Sequence, residues 1–177
     1  MKKLSPVQQR FILHWGEMGL RWGINRTVAQ IHALLFLSPR PLAAEEIAAT
    51  LGVARSNVST SLRELQNWRI VKAVHVLDDR RDHFESMKDV WQMFRIVLDQ
   101  RKRREIDPTL EVLRQCVAES QDTGDAYTRR RMAEMCEFFE TMVAWYNQID
   151  HLPTPAVIKF VKLGDRLRKR LGLGGVA

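Results

Sequence analysis

Ala48 and Gly52 stand four residues apart, between two segments that each carry an apolar stripe at helical spacing. Ile47 and Leu51 lie on the first segment, and Val58, Leu62 and Leu65 on the second. A 3.6-residue period gathers each set on a single helix face. A connection this short makes the two helices cross steeply. They then need a small residue where they touch, which Ala48 supplies, and a turn residue tolerant of positive φ, which Gly52 supplies. The spacing predicts a short helix from Leu42 to Leu51 and a longer one from Val53 to Trp68, joined as a helix-turn-helix. Val53-Ala54 offers no strong N-cap, so the start of the second helix is fixed only to within a residue or two.

The outward face of that second helix carries Arg55, Ser56, Asn57, Ser59, Thr60 and Arg63, with no acid before Glu64. An ordinary solvated face would carry Glu/Lys pairs. Hydroxyl, amide and guanidinium groups suit base edges and phosphates: Arg pairs bidentately with guanine, Asn with adenine, and Ser or Thr reaches phosphate. Arg55, Ser56 and Asn57 fall in the first turn, the part of such a helix that enters the major groove. Ile70 to Leu77 alternates and is rich in Val and Ile, which predicts a strand. Asp78 to Asp82 is expected to turn, and His83-Phe84-Glu85 to return as a second strand. Arg80 and Arg81 would then sit at the tip of this wing, aimed at a minor groove, with Asp79 holding one of them. The bland alternative is a solvated turn of mixed charge.

The rest of the chain is expected to be helical. Ser5-Pro6-Val7-Gln8 combines a capping box with proline at the first helical position. Phe11, Ile12, Trp15 and Met18 follow at helical spacing, and Gly23 ends the segment. Asn25 to Leu37 is a second helix, stopped by Ser38-Pro39-Arg40-Pro41. Ser86, with Asp89, is expected to cap a helix whose apolar face is Val90, Trp91, Phe94, Val97 and Leu98. Asp107-Pro108 fits either a fresh cap or a kink in one long helix, with Leu110, Leu113 and Val117 continuing the stripe. After a loop at Asp122-Thr123-Gly124-Asp125, Ala126 to Ile149 is helical, with Met132, Met135, Phe139, Met142, Val143 and Tyr146 on one side. Thr154-Pro155 caps a last helix ending in Arg166 to Arg170. The predicted divisions are 1–37 (N-terminal helices), 38–87 (the DNA-binding unit) and 88–177 (a C-terminal helical region).

The 28 Lys+Arg against 21 Asp+Glu among 177 residues give a net charge of +7, a balance that favours a polyanion partner. The runs Arg101 to Arg104 and Arg166 to Arg170 fit either solvated helix faces or steering of DNA by charge. Cys116 and Cys136 have no metal or CxxC spacing and read as reduced structural thiols, which points to the cytoplasm. The N-terminus lacks a signal-peptide apolar region, and no apolar stretch is long enough to span a bilayer. No nucleotide-binding glycine motif, nucleophile elbow or His/Cys cluster is present, so no catalytic residue, metal ligand or cofactor is expected. Trp15, Trp91 and Trp145 fall on apolar stripes and are expected in the core. Trp22 does not, and is the single candidate for contact with a small ligand.

At these residues the chain resembles the MarR-type winged-helix regulators. Asp79-Arg80-Arg81 is similar to the acid-x-arginine wing signature of that family. The opening from Gly16 to Thr27, the phrase Leu37-Ser38-Pro39-Arg40-Pro41-Leu42, and Arg55-Ser56-Asn57-Val58-Ser59 resemble its GbsR-like branch. The resemblance implies a mainly α chain with a small β-hairpin wing: a winged helix-turn-helix with N- and C-terminal dimerisation helices. It implies a homodimer on double-stranded DNA, with two reading heads about one helical turn apart on a pseudo-palindromic operator, and a repressor more often than an activator. Some members of the branch answer to choline-like ligands; here the small-molecule effector stays unidentified. Two other functions fit the residues: a sequence-independent architectural nucleic-acid binder, and a protein-interaction module that keeps the fold.

Overall fold

The computed structural model describes residues 4–120, 125–159 and 162–163. The chain divides into two compact units, Met1–Val97 and Leu98–Ala177.

The first unit opens with helix α1 (Pro6–Arg21), whose capping box is formed as expected by Ser5 and Gln8. Helix α2 (Arg26–Leu37) starts one residue later than predicted, because Asn25 is its cap: the Asn25 side chain accepts from Thr27 N–H at 2.8 Å. Gly16 and Gly19 are where α1 meets α2. A Cβ on Gly19 would stand 2.5 Å from Ala29 Cβ, and one on Gly16 2.7 Å from Gln30 Cγ. Both glycines weaken α1 as an isolated helix but admit its neighbour, a trade that sequence periodicity does not register.

Leu42 and Ala43, expected to open a helix, form strand β1 (Leu42–Ala43) instead. They pair antiparallel with Phe84 and His83. Helix α3 (Ala44–Leu51) follows and ends on Gly52, whose φ of 66° is the left-handed conformation the turn requires. Helix α4 (Arg55–Asn67) begins two residues later than predicted. Strands β2 (Val71–Val76) and β3 (Asp79–Ser86) complete a three-stranded antiparallel sheet in the order β1-β3-β2, rather than a bare hairpin. The largest fully buried side chains, Ile31, Leu35, Ile47, Val58, Leu62 and Leu65, tie α2, α3 and α4 into one core.

Helix α5 (Val90–Arg101) is capped by Asp89, not Ser86. Asp89 Oδ1 accepts from the N–H of Trp91 and Gln92 at 2.9 and 3.0 Å. Ser86 is instead the last residue of β3, and its hydroxyl donates to the Met87 carbonyl. Trp91 and Phe94, expected in a core, meet edge to face but are 39% and 51% exposed.

In the second unit, helix α6 (Asp107–Glu119) is reached through a π-helical turn, Lys102–Ile106. The choice left open at Pro108 is thereby decided: helix runs on through it. Proline lacks an N–H and crowds the carbonyl four residues back, and a wider turn relieves both demands. Helix α7 (Ala126–Asp150) is capped by Asp125. Its inward side carries Met132, Cys136, Phe139, Met142, Val143 and Tyr146. Met135, expected among them, is 48% exposed, and Trp145, expected in the core, is 56% exposed. Cys136 is buried and Cys116 half-buried, both as free thiols. Residues 154–159 are helical. The expected loop residues Asp122, Thr123 and Gly124 and the run Arg166 to Arg170 lie outside the described residues. Among the described residues no helix is long and apolar enough to cross a membrane.

Candidate functional site

Val58, Leu62 and Leu65 point inward from α4, and so does Ser61. That fixes the helix rotation, because residues on the opposite side of a 3.6-residue turn must face water. Arg55, Ser56, Asn57, Ser59, Thr60 and Arg63 are all exposed. The helix therefore presents one polar face that carries no acid before the half-exposed Glu64.

A carboxylate reaches that face from the preceding helix. Arg55 Nη2 lies 2.7 Å from Glu45 Oε1, with Arg55 69% and Glu45 39% exposed at the side chain. Glu46, next along α3, holds Arg40 through both terminal guanidinium nitrogens and also accepts from Ala43 N–H at 3.0 Å. The Arg40 hydrogen bonds are the main reason its carboxyl is held down at about 2. Two acids at the start of α3 are also favoured by the positive end of the helix dipole. The sequence gives no sign of these pairs, since Glu45 and Arg55 sit on different helices and meet only when the helices cross.

The wing differs from expectation in one respect. Its tip is Leu77-Asp78, with Asp78 at φ 63° and Leu77 90% exposed. Arg80 and Arg81 lie on β3 itself, both exposed. Polar residues in the exposed end of a strand leave no alternation to read, so cross-strand pairing of Val76 with Asp79 decides where the turn falls. The expected clamp is present: Asp79 accepts from Arg81 Nε at 2.9 Å, from its Nη2, and from its backbone N–H at 3.0 Å. These bonds hold the Asp79 carboxyl well below the usual carboxylate range. Arg81 is further favoured as a cation by the nearby charges of Glu45 and Glu46. His83, buried beneath, donates from Nδ1 to the Arg81 carbonyl at 2.9 Å. Among the described residues, no ion pair involves Arg63 or Arg80.

Lys88, which the sequence did not single out, anchors the end of the wing to α2. Its Nζ donates to the carbonyls of Leu35, Phe36 and Ser38 at 2.8, 2.8 and 2.9 Å. The end of a helix leaves its last carbonyls short of internal partners; of these three, the Leu35 carbonyl also accepts from Ser38 N–H at 3.3 Å. Desolvation there lowers the Lys88 pKa.

Behind α4, a cavity of about 180 Å³ is lined by Trp15, Trp22, Trp68, His32, Ile70 and Phe94 among others. An apolar cavity of about 150 Å³ holds a benzene ring, so the space admits a small guest. Trp22, the expected ligand contact, borders it and is 51% exposed. Trp15 and Trp68 also pack against the core. His32 is 6% exposed, and its Nε2 has no hydrogen-bond partner among the described residues. Burial first, and the charge of Lys88 second, lower its pKa to about 4.

Residues 22–82 match the family described as MarR family. The putative HTH-type transcriptional regulator YvaV of Bacillus subtilis (strain 168) is 22% identical over 91 residues, or 51% of this chain and 51% of that protein. The matched part thus spans about half the length of that relative. A crystal structure of a transcriptional regulator superposes with a TM-score of 0.63 at 18% identity, covering 89% of this chain and 99% of the other. At that identity the likeness is one of fold, and the fold is a winged helix-turn-helix in a mostly helical chain.

Proposed function

We propose that this chain is a sequence-specific DNA-binding transcription regulator that acts as a homodimer in the cytoplasm. The recognition helix α4 enters the major groove, where Arg55 and Asn57 read base edges and Ser56, Ser59, Thr60 and Arg63 contact phosphate or neighbouring bases. Arg80 and Arg81 carry the wing toward the adjacent minor groove. Residues 38–87 form the reading head. Helices of 1–37 and 88–177 hold two copies together on a pseudo-palindromic operator, and the regulator represses. Within the MarR-type proteins it fits the GbsR-like branch, and it performs no catalysis.

The observation that carries this reading is the face of α4: six exposed polar side chains without an acid among them, followed directly by the sheet whose β3 bears Arg80 and Arg81. The matched family and the description of the Bacillus relative as a transcriptional regulator support the same conclusion. An unidentified small effector is assigned to the cavity beside Trp22. Its walls include Leu65 and Trp68 from the far end of α4, so a guest there would bear on the position of the recognition helix.

Selection from random duplex DNA at physiological salt tests the reading. An enriched inverted repeat with half-sites about one helical turn apart is the expected result. Bound DNA without an enriched motif would refute base readout, and no bound DNA would refute the regulator itself.

A further inference from the structure

The reading face has an acid at its edge, and an unpaired carboxylate there would weaken binding to every DNA sequence alike. Glu45 lies in the first turn of α3 and is 39% exposed at the side chain, with one carboxylate oxygen 2.7 Å from Arg55 Nη2. That contact engages one end of the guanidinium. Among the described residues no other ion pair involves Arg55, so its remaining N–H groups stay available for a base edge.

The geometry points to Glu45 as the positioning residue that holds Arg55 for base readout and penalises its diversion to phosphate, a role that rests on the DNA-binding reading above. A long arginine side chain on a helix surface loses rotamer entropy when it is fixed. Glu45 fixes it before DNA arrives, and a planar fork held in one orientation reads guanine with less further loss. On the preferred sequence, Arg55 keeps its contact with Glu45 and turns its free N–H groups to the base. On any other sequence, the strongest partner within reach is a phosphate. Swinging there leaves Glu45 unpaired in the negative field of the backbone. Glu45 thus acts mainly on the wrong complexes, and so raises discrimination rather than affinity.

Nearby charges strengthen the constraint. Glu46 is occupied by Arg40 and Ala43 N–H, and Arg81 by Asp79. A displaced Glu45 therefore finds the closest cations already engaged.

The test is a pair of variants, Glu45→Gln and Arg55→Ala, alone and combined, on the full chain. Each is titrated with the selected duplex and with a random duplex of equal length at two salt concentrations. A thermal melt of each variant reports the fold. With Arg55 present, Glu45→Gln is expected to tighten random DNA about fivefold, the upper range for one exposed ion pair, and to leave the selected duplex nearly unchanged. In the Arg55→Ala background the same substitution should tighten both duplexes equally. Glu45→Asp, which keeps the charge but is one methylene shorter and so loses the contact, is expected to tighten random DNA by less than Glu45→Gln does and to narrow the gap between the two duplexes. Equal tightening of both duplexes by Glu45→Gln in the presence of Arg55 would overturn the role of Glu45 while leaving the regulator reading intact. A wild-type chain with no sequence preference would overturn both.

Discussion

Acidification from pH 7.5 to pH 5 should cost this fold about 2 kcal/mol through one side chain, His32. His32 is 6% exposed, its Nε2 has no hydrogen-bond partner among the described residues, and its pKa falls from 6.5 to about 4 through burial and the charge of Lys88. In the unfolded chain it returns to its ordinary value. Below pH 6.5 the unfolded chain therefore takes up a proton that the folded chain refuses, and stability falls as pH falls. The loss levels off once the pH drops below the folded value. The full gap corresponds to about 3 kcal/mol at 1.36 kcal/mol per pKa unit, and about 2 kcal/mol of it is reached by pH 5. Urea unfolding of the wild type and of His32→Leu at both pH values isolates the term, because leucine takes up no proton. The depressed carboxyl groups of Glu46 and Asp79 lose their contribution mainly below pH 5, and they are common to both chains. The variant should lose about 2 kcal/mol less than the wild type over this range. An equal loss in the two proteins would refute the assignment of a buried, neutral imidazole.

Other substitutions probe packing and readout. Gly19→Ala gains about 1 kcal/mol of helix propensity but places a Cβ 2.5 Å from Ala29 Cβ. Overpacking of about 1–3 kcal/mol outweighs that gain, so its urea midpoint should drop, and Ala29→Gly in the same chain should restore it. Arg69 has φ 58° where it closes α4; Arg69→Gly should raise stability by about 1 kcal/mol by relieving left-handed strain, visible as a higher melting temperature. Arg55→Ala and Asn57→Ala should each cost about 1–3 kcal/mol on the selected duplex, with little effect on random DNA. Uniform loss across sequences in the same titration would mean phosphate contact only.

Much of the first unit was legible because its signals are local. The Ser5 capping box, the stop after Leu37, the left-handed Gly52 and the polar face from Arg55 to Arg63 each depend on residues within a turn or two of one another. The errors fall where the deciding partner is distant. Leu42-Ala43 is too short a strand for any periodicity to mark, and it exists because Phe84 and His83 come alongside. The wing tip moved from Arg80-Arg81 to Leu77-Asp78 because strand register, not turn propensity, set it. Trp91 and Trp145 occupy apolar stripes, yet they stay exposed in the single chain.

The sequence by itself determined the main helices, the Ser5 cap of α1 and which side of α4 is polar, since capping and the 3.6-residue period act within a few residues. Tertiary structure alone decided what those surfaces meet: Glu45 against Arg55, Lys88 on the carbonyls that end α2, and His32 buried between Trp15 and Phe36 on the wall of a tryptophan-lined cavity. Each of these depends on segments distant in the chain coming together. Their strength is set by burial and by the angles at which helices cross, and neither is written in any short stretch of residues.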